Sequence, residues 1–236
     1  MKYIKELDED GNTIRPEFTE EEDAEYLRVA WSNFQNKVYK ICNKFWTNDF
    51  FMAVGNREHF RSEMYPEYKV NRNPKNVLGK FVTPLRELAV YEGLAVFAQD
   101  READDYIRTW AEECRQVGED FIVCSVDKDL KCIPGKHYNP STEKLVEVSE
   151  EEATRFFYEQ LLMGDRTDNI PGLEGVGPIK AKRFLAECNH EKEYQKVVMD
   201  LYQAYYDDEW KDYLLSNAKL LYIQKHLNDF FSLEGW

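Results

Sequence analysis

The chain has 236 residues and a formal net charge of -14, and hydrophobic residues make up 43% of it. This composition excludes a mostly disordered chain, and the length is sufficient for a buried core in one domain or in one domain with a smaller lobe. The negative charge excludes broad, nonspecific binding to nucleic acids, so any such contact requires a local basic surface or bound cations.

The sequence shows neither a membrane segment nor a secretion signal. No apolar run approaches about eighteen residues, and the first residues lack the apolar core of a signal peptide. The five cysteines form no C-x-x-C pair, which argues against a disulfide framework and against a zinc site. These features predict a soluble, cytoplasmic protein with reduced thiols and no membrane partner.

The first half of the chain alternates helical patterns with short apolar runs. Thr19 and Glu22 fit a capping box, and apolar residues then recur at helical spacing. Apolar runs at 50–54, 94–98 and 121–126 predict buried strands with helices between them. This order predicts an α/β fold with a parallel central sheet flanked by helices.

The character of the sequence changes after residue 148. Ser149 precedes three glutamates and begins a predicted helix, and the rest of the chain is predicted to be helical with glycine or polar breaks. We therefore predict two domains, an α/β core over residues 1–148 and a helical region over residues 149–236.

Acidic residues lie where the second and third predicted strands end. The segment "READD" follows the second strand and begins a helix, and Asp127 and Asp129 follow the third strand. Ligands bind at the carboxyl edge of the strands in open α/β sheets, so we expect these acids to meet at one edge. The acids of the first segment are Glu102, Asp104 and Asp105.

A third acidic pair, Asp165 and Asp168, would share one face if this segment were helical. All these carboxylates at one edge would repel one another without cations, and Mg²⁺ and Mn²⁺ prefer oxygen ligands. Two such ions about 4 Å apart stabilise the attacking and leaving oxygens in phosphodiester hydrolysis. Any one of the acids alone is better explained as a helix cap or a solvated residue, but three clusters together favour a metal site.

Four segments carry a resemblance to a known family. They are "FRSEMYPEYKVNR" (60–72), "READD" (101–105), "CSVDKDL" (124–130) and "GDRTDNIPGLEGVGPIKA" (164–181). Over about residues 50–185 the chain resembles the 5′ nucleases, which include phage 5′-to-3′ exonucleases, flap endonucleases and the nuclease domain of bacterial DNA polymerase I. The resemblance implies a PIN/flap-endonuclease-like fold with a helix-three-turn-helix element in the C-terminal helical region, which would bind DNA.

The resemblance also implies roles for individual residues. The seven acids named above would bind divalent metal, magnesium or manganese, at two sites. Arg61 and Tyr68 are candidates for contact with DNA, although packing explains Tyr68 equally well. The catalytic candidates are Lys69, Arg72, Asp127 and Asp129. The two cations among them, Lys69 and Arg72, would also contact DNA and are suited to stabilise negative charge in the transition state. The four histidines are scattered and are interpreted as structural or surface residues.

The segment "GLEGVGP" is predicted to be a turn between two helices, where glycines let backbone amides approach a phosphate closely. In the family, this element grips the duplex backbone and often holds a monovalent cation, so potassium is a further expected ligand. An ordinary glycine-tipped helical hairpin is the alternative, and the preceding "GDRTDNIPG" argues against it. The candidates for DNA contact here are Gly175, Val176, Gly177, Lys180, Lys182 and Arg183.

Two features depart from the family's pattern. The family begins with an apolar strand that ends in a metal-binding aspartate, but this chain begins with "MKYIKELDEDGNTI", where Asp8 and Asp10 lie in a segment typical of a polar turn. Asn56 stands where many members have an aspartate. Both losses fall on the same side of the acidic cluster, so we expect one of the two metal sites to be depleted.

The expected function is that of a phage-type 5′-to-3′ exonuclease or flap endonuclease, a metal-dependent hydrolase active in DNA replication. Its substrate would be DNA with 5′ ends, nicks or flaps, and RNA in an RNA·DNA hybrid is an alternative substrate. If the gene is from a phage, the protein acts in the cytoplasm of the host bacterium.

The departures leave several explanations open. The reading frame could start upstream, a partner chain could supply the missing strand of a split nuclease, or the metal arrangement could be altered. The main alternative function is a catalytically impaired DNA-binding or replication accessory protein. A phage protein that uses the fold only to contact replication or host proteins is a further alternative.

Overall fold

The computed structural model describes residues 19–55, 58–71 and 77–236. Among these, the helices are α1 (Glu20–Lys44), α2 (Phe60–Met64), α3 (Val82–Tyr91), α4 (Ala103–Val117), α5 (Glu150–Met163), α6 (Pro178–Phe184), α7 (Glu191–Tyr206) and α8 (Trp210–Leu221). The strands are β1 (Ala53–Val54), β2 (Val96–Phe97), β3 (Ile122–Cys124), β4 (Gly135–Asn139), β5 (Lys144–Val148), β6 (Gly164–Asp165) and β7 (Ile170–Pro171). Short 3₁₀ helices cover Val77–Phe81, Asp129–Cys132 and Asp207–Glu209.

The described residues fall into two compact units. The first unit draws on the ranges Met1–Met52 and Asn73–Val96, and the second on Ala53–Arg72 and Phe97–Trp236. All three acidic groups belong to the second unit. The predicted domain boundary near residue 149 rests on a change in sequence character and not on contacts between residues, and it stays a prediction.

Helix α1, in the first unit, begins with the predicted capping box. The Thr19 hydroxyl accepts a hydrogen bond from the Glu22 amide at 3.2 Å, and the Glu22 carboxylate accepts one from the Thr19 amide at 2.9 Å. Tyr26 on α1 stacks on Phe81 with ring centroids 4.6 Å apart. The sequence signals for this helix therefore correspond to contacts that stabilise its first turns.

The strands form three small sheets in the part of the chain that the structure describes. β1 pairs with β2, β6 pairs antiparallel with β7, and β4 lies between β3 and β5. The central pair β3 and β4 is parallel, whereas β4 and β5 are antiparallel. The predicted α/β fold is confirmed, with strands shorter than the apolar runs suggested and with β4 built from the polar and aromatic sequence "GKHYN".

The C-terminal part of the second unit is helical, as predicted. Its core is formed where α5, α7 and α8 pack together, and Leu161, Val198 and Leu214 are completely buried there. The Tyr202 hydroxyl donates to the Leu161 carbonyl at 2.6 Å and accepts from the Asn217 side chain at 2.9 Å, so this buried polar group is fully hydrogen-bonded. No helix among the described residues is long and apolar enough to cross a membrane.

Candidate metal and nucleic-acid site

The segment "READD" begins α4, and it places three acids within the first turn of this helix. Glu102 is the residue before the first helical position, and its amide donates to the Asp105 carboxylate at 2.9 Å. Negative side chains at a helix N-terminus are stabilised by the unpaired amides and by the helix dipole. Local helix chemistry therefore places Glu102, Asp104 and Asp105 at the N-terminal end of α4.

Asp105 forms a buried ion pair with Arg61 on α2. Asp105 is 0% exposed and Arg61 is 1% exposed, and the guanidinium binds the two carboxylate oxygens at 2.7 and 2.8 Å. Burial lowers the pKa of Arg61, but the hydrogen bonds and charge of Asp105 raise it more, so the net shift is upward. This placement gives Arg61 an internal role, and the predicted contact with DNA would require a rearrangement that exposes it.

Tyr68 connects two of the acidic groups. It is 8% exposed, and its hydroxyl lies 2.9 Å from the Glu102 carboxylate and 3.3 Å from the Asp168 carboxylate. Burial and the nearby carboxylate of Glu102 raise the pKa of the Tyr68 hydroxyl, which therefore stays protonated and donates. The burial of this ring supports the packing interpretation.

Lys69 is held among the same acids. Its backbone lies in the left-handed region, with φ of 59°, and its amide donates to the Asp168 carbonyl at 2.8 Å. The ammonium group forms an ion pair with Glu102 and lies 3.5 Å from the Asp168 carboxylate. Burial raises the pKa of Glu102, but Arg61 and Lys69 lower it more, so this carboxyl remains ionised.

The acids after β3 share an electrostatic environment with those on α4. Burial, followed by the charges of Asp127 and Glu102, raises the pKa of Asp104 to about 7. Burial likewise raises the pKa of Asp129 to about 6, where Lys128 opposes the shift and Asp127 adds to it. Asp127 contributes to both shifts, and the predicted meeting of these two acidic segments at one edge stays a prediction.

Asp127 and Asp129 are oriented by local hydrogen bonds. The Asp129 amide donates to the Asp127 carboxylate at 2.9 Å, and the Gln160 side chain donates to the Asp129 carboxylate at 2.7 Å. Asp127 itself is exposed to solvent. An exposed carboxylate beside a more buried one leaves free oxygen atoms for a ligand that arrives from solution.

Asp165 and Asp168 are close together, although the segment that carries them is not helical. Asp165 lies in β6, Asp168 lies in the turn that leads to β7, and the Asp165 carboxylate accepts from the Thr167 amide at 2.7 Å. Lys128 donates to Asp165 at 2.8 Å. Burial raises the pKa of Asp165, but Lys128 and the backbone amides lower it more, so the net shift is downward.

Two glycines make the turn with Asp165 and Asp168 possible, and the sequence analysis missed both of them. A Cβ on Gly164, where φ is +66°, would lie 2.3 Å from the Ile170 carbonyl oxygen, and a Cβ on Gly172 would lie 2.2 Å from the Met163 carbonyl carbon. Neither position has room for a side chain. The available signal was the pair of glycines that bounds "GDRTDNIPG".

His59 was also missed as a neighbour of the acids. Its ring is 5% exposed, packs edge-on against Tyr68, and has Nε2 3.6 Å from the Glu102 carboxylate. Burial lowers the pKa of His59, despite the opposing charge of Glu102. A neutral His59 imidazole therefore lies beside the Glu102 carboxylate.

The donor set fits a hard divalent cation in its chemistry. It consists of carboxylate oxygens. Burial and, to a smaller extent, the charge of Asp127 raise the pKa values of Asp104 and Asp129, and a bound cation would favour the ionised form of both. Within the described ranges no three histidine, cysteine or acidic side chains converge in the way that a metal ion needs. Lys69 and Lys128 instead occupy carboxylate oxygens. The predicted site residues that lie outside the described residues are Asp8, Asp10, Asn56 and Arg72.

The predicted glycine-rich turn leads into α6. Gly175 has φ of +69°, and the Gly177 carbonyl accepts from the Ala181 amide as the helix begins. Val176 is buried, and its amide already donates to the Leu173 carbonyl at 3.0 Å, so this amide is not free for a phosphate. Between α5 and the turn stands the β6–β7 hairpin. The cations of α6 are exposed to solvent, and they are Lys180, Lys182 and Arg183.

Comparison with known proteins gives a consistent set of relatives. A family model described as the 5′-3′ exonuclease, N-terminal resolvase-like domain matches residues 14–159. The chain is 32% identical to flap endonuclease Xni of Shewanella piezotolerans over 170 residues, which cover 65% of this chain and 66% of that protein. It is 34% identical to DNA polymerase I of Bacillus caldotenax over 143 residues, or 54% of this chain and 16% of the polymerase.

A 5′-3′ exonuclease of Buchnera aphidicola is 30% identical over 181 residues, which cover 71% of this chain and 59% of the relative. In each of these three cases the match spans less than two thirds of the relative's own length.

Solved structures share the fold. The bacteriophage T5 5′-exonuclease with bound zinc superposes with a TM-score of 0.62 at 17% identity, over 81% of this chain and 80% of that one. A T5 flap endonuclease complex with DNA and metal ions gives a TM-score of 0.57 at 15% identity, over 81% and 90% of the two chains. At this level of identity the likeness establishes the fold and leaves function to the site.

Proposed function

The chain belongs to the 5′-3′ exonuclease, N-terminal resolvase-like domain family, and we propose that it hydrolyses phosphodiester bonds of DNA at or near 5′ ends. The reaction would be that of a divalent-metal-dependent exonuclease or flap endonuclease. The observation that carries this proposal is the Tyr68 hydroxyl, which lies within hydrogen-bond distance of both Glu102 and Asp168 and so brings two acidic segments together.

The acids proposed to bind metal come from the three acidic segments, at the start of α4, after β3 and in the β6–β7 hairpin. Bound Mg²⁺ or Mn²⁺ would supply positive charge for the attacking and leaving oxygens of the phosphodiester. We propose two cation positions, one of them weakened by Asn56. The residues proposed to hold the ions are Glu102, Asp104, Asp127, Asp129, Asp165 and Asp168. Both oxygens of Asp105 are bound by Arg61, so Asp105 is the acid with a supporting role.

Lys69 is the residue proposed to contact the reacting phosphate. Its ammonium group is paired with Glu102 and lies near Asp168, and its unusual backbone is tied to the Asp168 carbonyl. Neutralisation of these acids by a cation would free the ammonium group to donate to a phosphate oxygen. A charge placed in this way stabilises the transition state because it requires no reorganisation when the reaction occurs. Arg72 is proposed to assist it.

The exposed cations of α6 and the turn before them are proposed to bind the duplex backbone. Contacts of this kind position DNA without reading its sequence. The T5 flap endonuclease complex contains DNA and metal ions, which supports a DNA substrate with a 5′ end, nick or flap for this chain too. An RNA·DNA hybrid, a potassium ion at Gly175 to Gly177, a partner chain that supplies a strand, and a cytoplasmic location are finer proposals that rest on the sequence.

The second candidate function is a DNA-binding accessory protein with impaired catalysis. One observation favours it, because no three of the described acidic side chains converge on a common point. Such a protein would bind duplex DNA through α6 and would not depend on a divalent ion.

The test measures release of nucleotides from a 5′-labelled flapped or nicked duplex in magnesium, in manganese and in chelator. We expect metal-dependent cleavage by the wild type, loss of cleavage in Asp127→Ala, and retention in Asp120→Ala, which removes an exposed acid outside the site. Duplex binding without cleavage in either metal would contradict the nuclease proposal and support the accessory protein.

A further inference from the structure

Arg61 forms hydrogen bonds through all three of its guanidinium nitrogens, and no catalytic role requires it. Its Nε donates to the Leu220 carbonyl at 3.0 Å, and one terminal nitrogen donates to the Tyr222 carbonyl at 2.5 Å. The same guanidinium binds both oxygens of Asp105 and has its other terminal nitrogen 3.4 Å from the Glu102 carboxylate. One side chain therefore contacts α4, the residue that precedes α4, the last turn of α8 and the residue that follows α8.

Asp105 is bonded to the same degree from its own side. Besides Arg61, its carboxylate accepts from the Glu102 amide at 2.9 Å and from the Gln224 amide at 2.9 Å. Three of these bonds are buried and the one from the Glu102 amide is partly buried, and buried carboxylates with this many donors are rigidly oriented. The pair thus fixes the backbone of the first turn of α4 against residues 220–224.

We infer that Arg61 is a positioning residue, which acts through Asp105 and on Glu102 directly to hold the first turn of α4, and so Glu102 and Asp104, in place for a divalent cation. The inference rests on the proposed function. Residues 220–224 become part of the support for the site, although no side chain of this segment needs to contact metal or DNA.

The planar fork of arginine is essential to this role. It reaches two carboxylate oxygens and two backbone carbonyls at once, whereas the ammonium group of lysine is a point charge that cannot match the bidentate geometry. Arg61→Lys therefore keeps the positive charge but removes the hydrogen bonds that orient Asp105 and the first turn of α4.

The chain provides a matched control in Arg108. This arginine lies on α4, is 8% exposed, and donates to the Ile223 carbonyl at 3.0 Å, in the same segment that Arg61 binds. Its nearest acid is Glu112, at 3.9 Å, and Glu112 is not among the acids of the site. Arg108→Lys therefore disturbs the segment 220–224 without altering a contact to Glu102 or Asp105.

The experiment measures Mn²⁺ binding to the full chain without DNA, by loss of the free-ion signal in electron paramagnetic resonance. We expect Arg61→Lys to weaken binding by on the order of 10- to 100-fold, which is typical of residues that orient metal ligands. Arg108→Lys should leave the affinity unchanged, and affinity for a flapped duplex in chelator should be the same for both variants.

Several results would overturn the inference. Equal Mn²⁺ affinity in the two variants, whether both weaken or neither does, would show that Arg61 only anchors the C-terminal segment. Weaker duplex binding with unchanged Mn²⁺ affinity in Arg61→Lys would make Arg61 a DNA contact, as the sequence suggested. If the wild type binds no Mn²⁺ and cleaves no DNA, the proposed function itself fails. This outcome is distinguishable from failure of the inference, in which Arg61→Lys and Arg108→Lys are both active and have equal Mn²⁺ affinity.

A second variant covers the case in which Arg61→Lys does not fold. Asp105→Asn keeps the volume and one acceptor oxygen but loses the charge that pairs with Arg61. The inference requires the same selective loss of Mn²⁺ affinity here, and an unchanged Mn²⁺ affinity in folded Asp105→Asn would contradict it.

Discussion

Two of the acidic segments are held in place by different physical means. The first turn of α4 is fixed by charge, because Arg61 binds both oxygens of the buried Asp105. The turn that carries Asp165 and Asp168 is fixed by backbone geometry, because Gly164 and Gly172 approach neighbouring backbone atoms too closely for any side chain. Acids that must lie near one another can therefore be positioned from a side chain or from the main chain, and the two designs have different weak points.

The charge-based design has the largest expected response to a single substitution. Arg61→Met would leave Asp105 buried without its partner, which costs about 3–5 kcal/mol of the free energy of unfolding. Arg108→Met, which removes a buried arginine without a carboxylate in hydrogen-bond range, should cost about 1–2 kcal/mol. Urea denaturation of both variants measures the difference, and equal losses would contradict the special role of the ion pair.

The backbone-based design should respond to one added methyl group. Gly164→Ala places a Cβ 2.3 Å from the Ile170 carbonyl oxygen, at a positive φ, and we expect a loss of about 3 kcal/mol in the free energy of unfolding. Gly118→Ala is the comparison variant, because Gly118 is in the left-handed region (φ 74°, ψ 26°) with open space around it, and only about 1–2 kcal/mol should be lost there. Gly164 differs from it both in the close approach and in a ψ of -170°, which is open almost only to glycine. If thermal or urea unfolding gives the same loss for both, close approach does not explain Gly164.

The pH dependence of stability tests the burial of Asp104 at the start of α4. The pKa of Asp104 is about 7 in the folded protein and near 3.8 when unfolded, so the folded state binds more protons between these values. Stability is therefore greatest below about pH 4 for this group and falls as pH rises towards 7, by on the order of 1–3 kcal/mol.

Asp104→Asn should flatten that part of the profile. The remaining slope belongs to Asp129, whose pKa of about 6 is shifted in the same direction. Saturating magnesium should also reduce the slope in the wild type, because a bound cation favours ionised carboxylates. An unchanged slope in Asp104→Asn, measured by urea unfolding from pH 4 to pH 8, would remove Asp104 as its source.

The smallest effect is expected at Lys128. This lysine pairs with Asp165 at 2.8 Å, but its side chain is 57% exposed, so Lys128→Met should change stability by less than about 1 kcal/mol. Asp165 remains held by the amides of Thr167 and Asp168. In Lys128→Met the ammonium group no longer competes for Asp165, so this variant should bind Mn²⁺ more tightly than the control variant Lys131→Met does. Weaker Mn²⁺ binding by Lys128→Met would show that Lys128 assists the metal.

The sequence predicted those parts of the site that follow from local chemistry. The helix that begins at "READD" and the acids that follow β3 depend on capping and on strand ends, which are readable over a few residues. The spacing of Asp165 and Asp168 would place both acids on one face if the segment were helical, but this condition is not met, because two glycines favour a tight hairpin instead. The spacing of the two acids does not indicate that the backbone at Gly164 and Gly172 approaches neighbouring backbone atoms so closely.

Non-local contacts account for most of the rest. Arg61 stands in a motif with three other candidate DNA contacts, and nothing in its neighbours shows that its partners include Leu220 and Tyr222, about 160 residues later. The location of His59 beside Glu102 is hidden for the same reason, because it depends on how α2 packs against the start of α4. Such partners are set by the tertiary fold, which residue patterns do not specify.

The link between Arg61 and the segment 220–224 has a consequence for the order of events during synthesis. A ribosome makes the acids of α4 long before it makes Leu220, which lies 159 positions after Arg61. Until that segment emerges, the guanidinium lacks two of its carbonyl partners and Asp105 lacks the Gln224 amide. A nascent chain would therefore carry the acids of α4 without the contacts that orient them until residues 220–224 have been made.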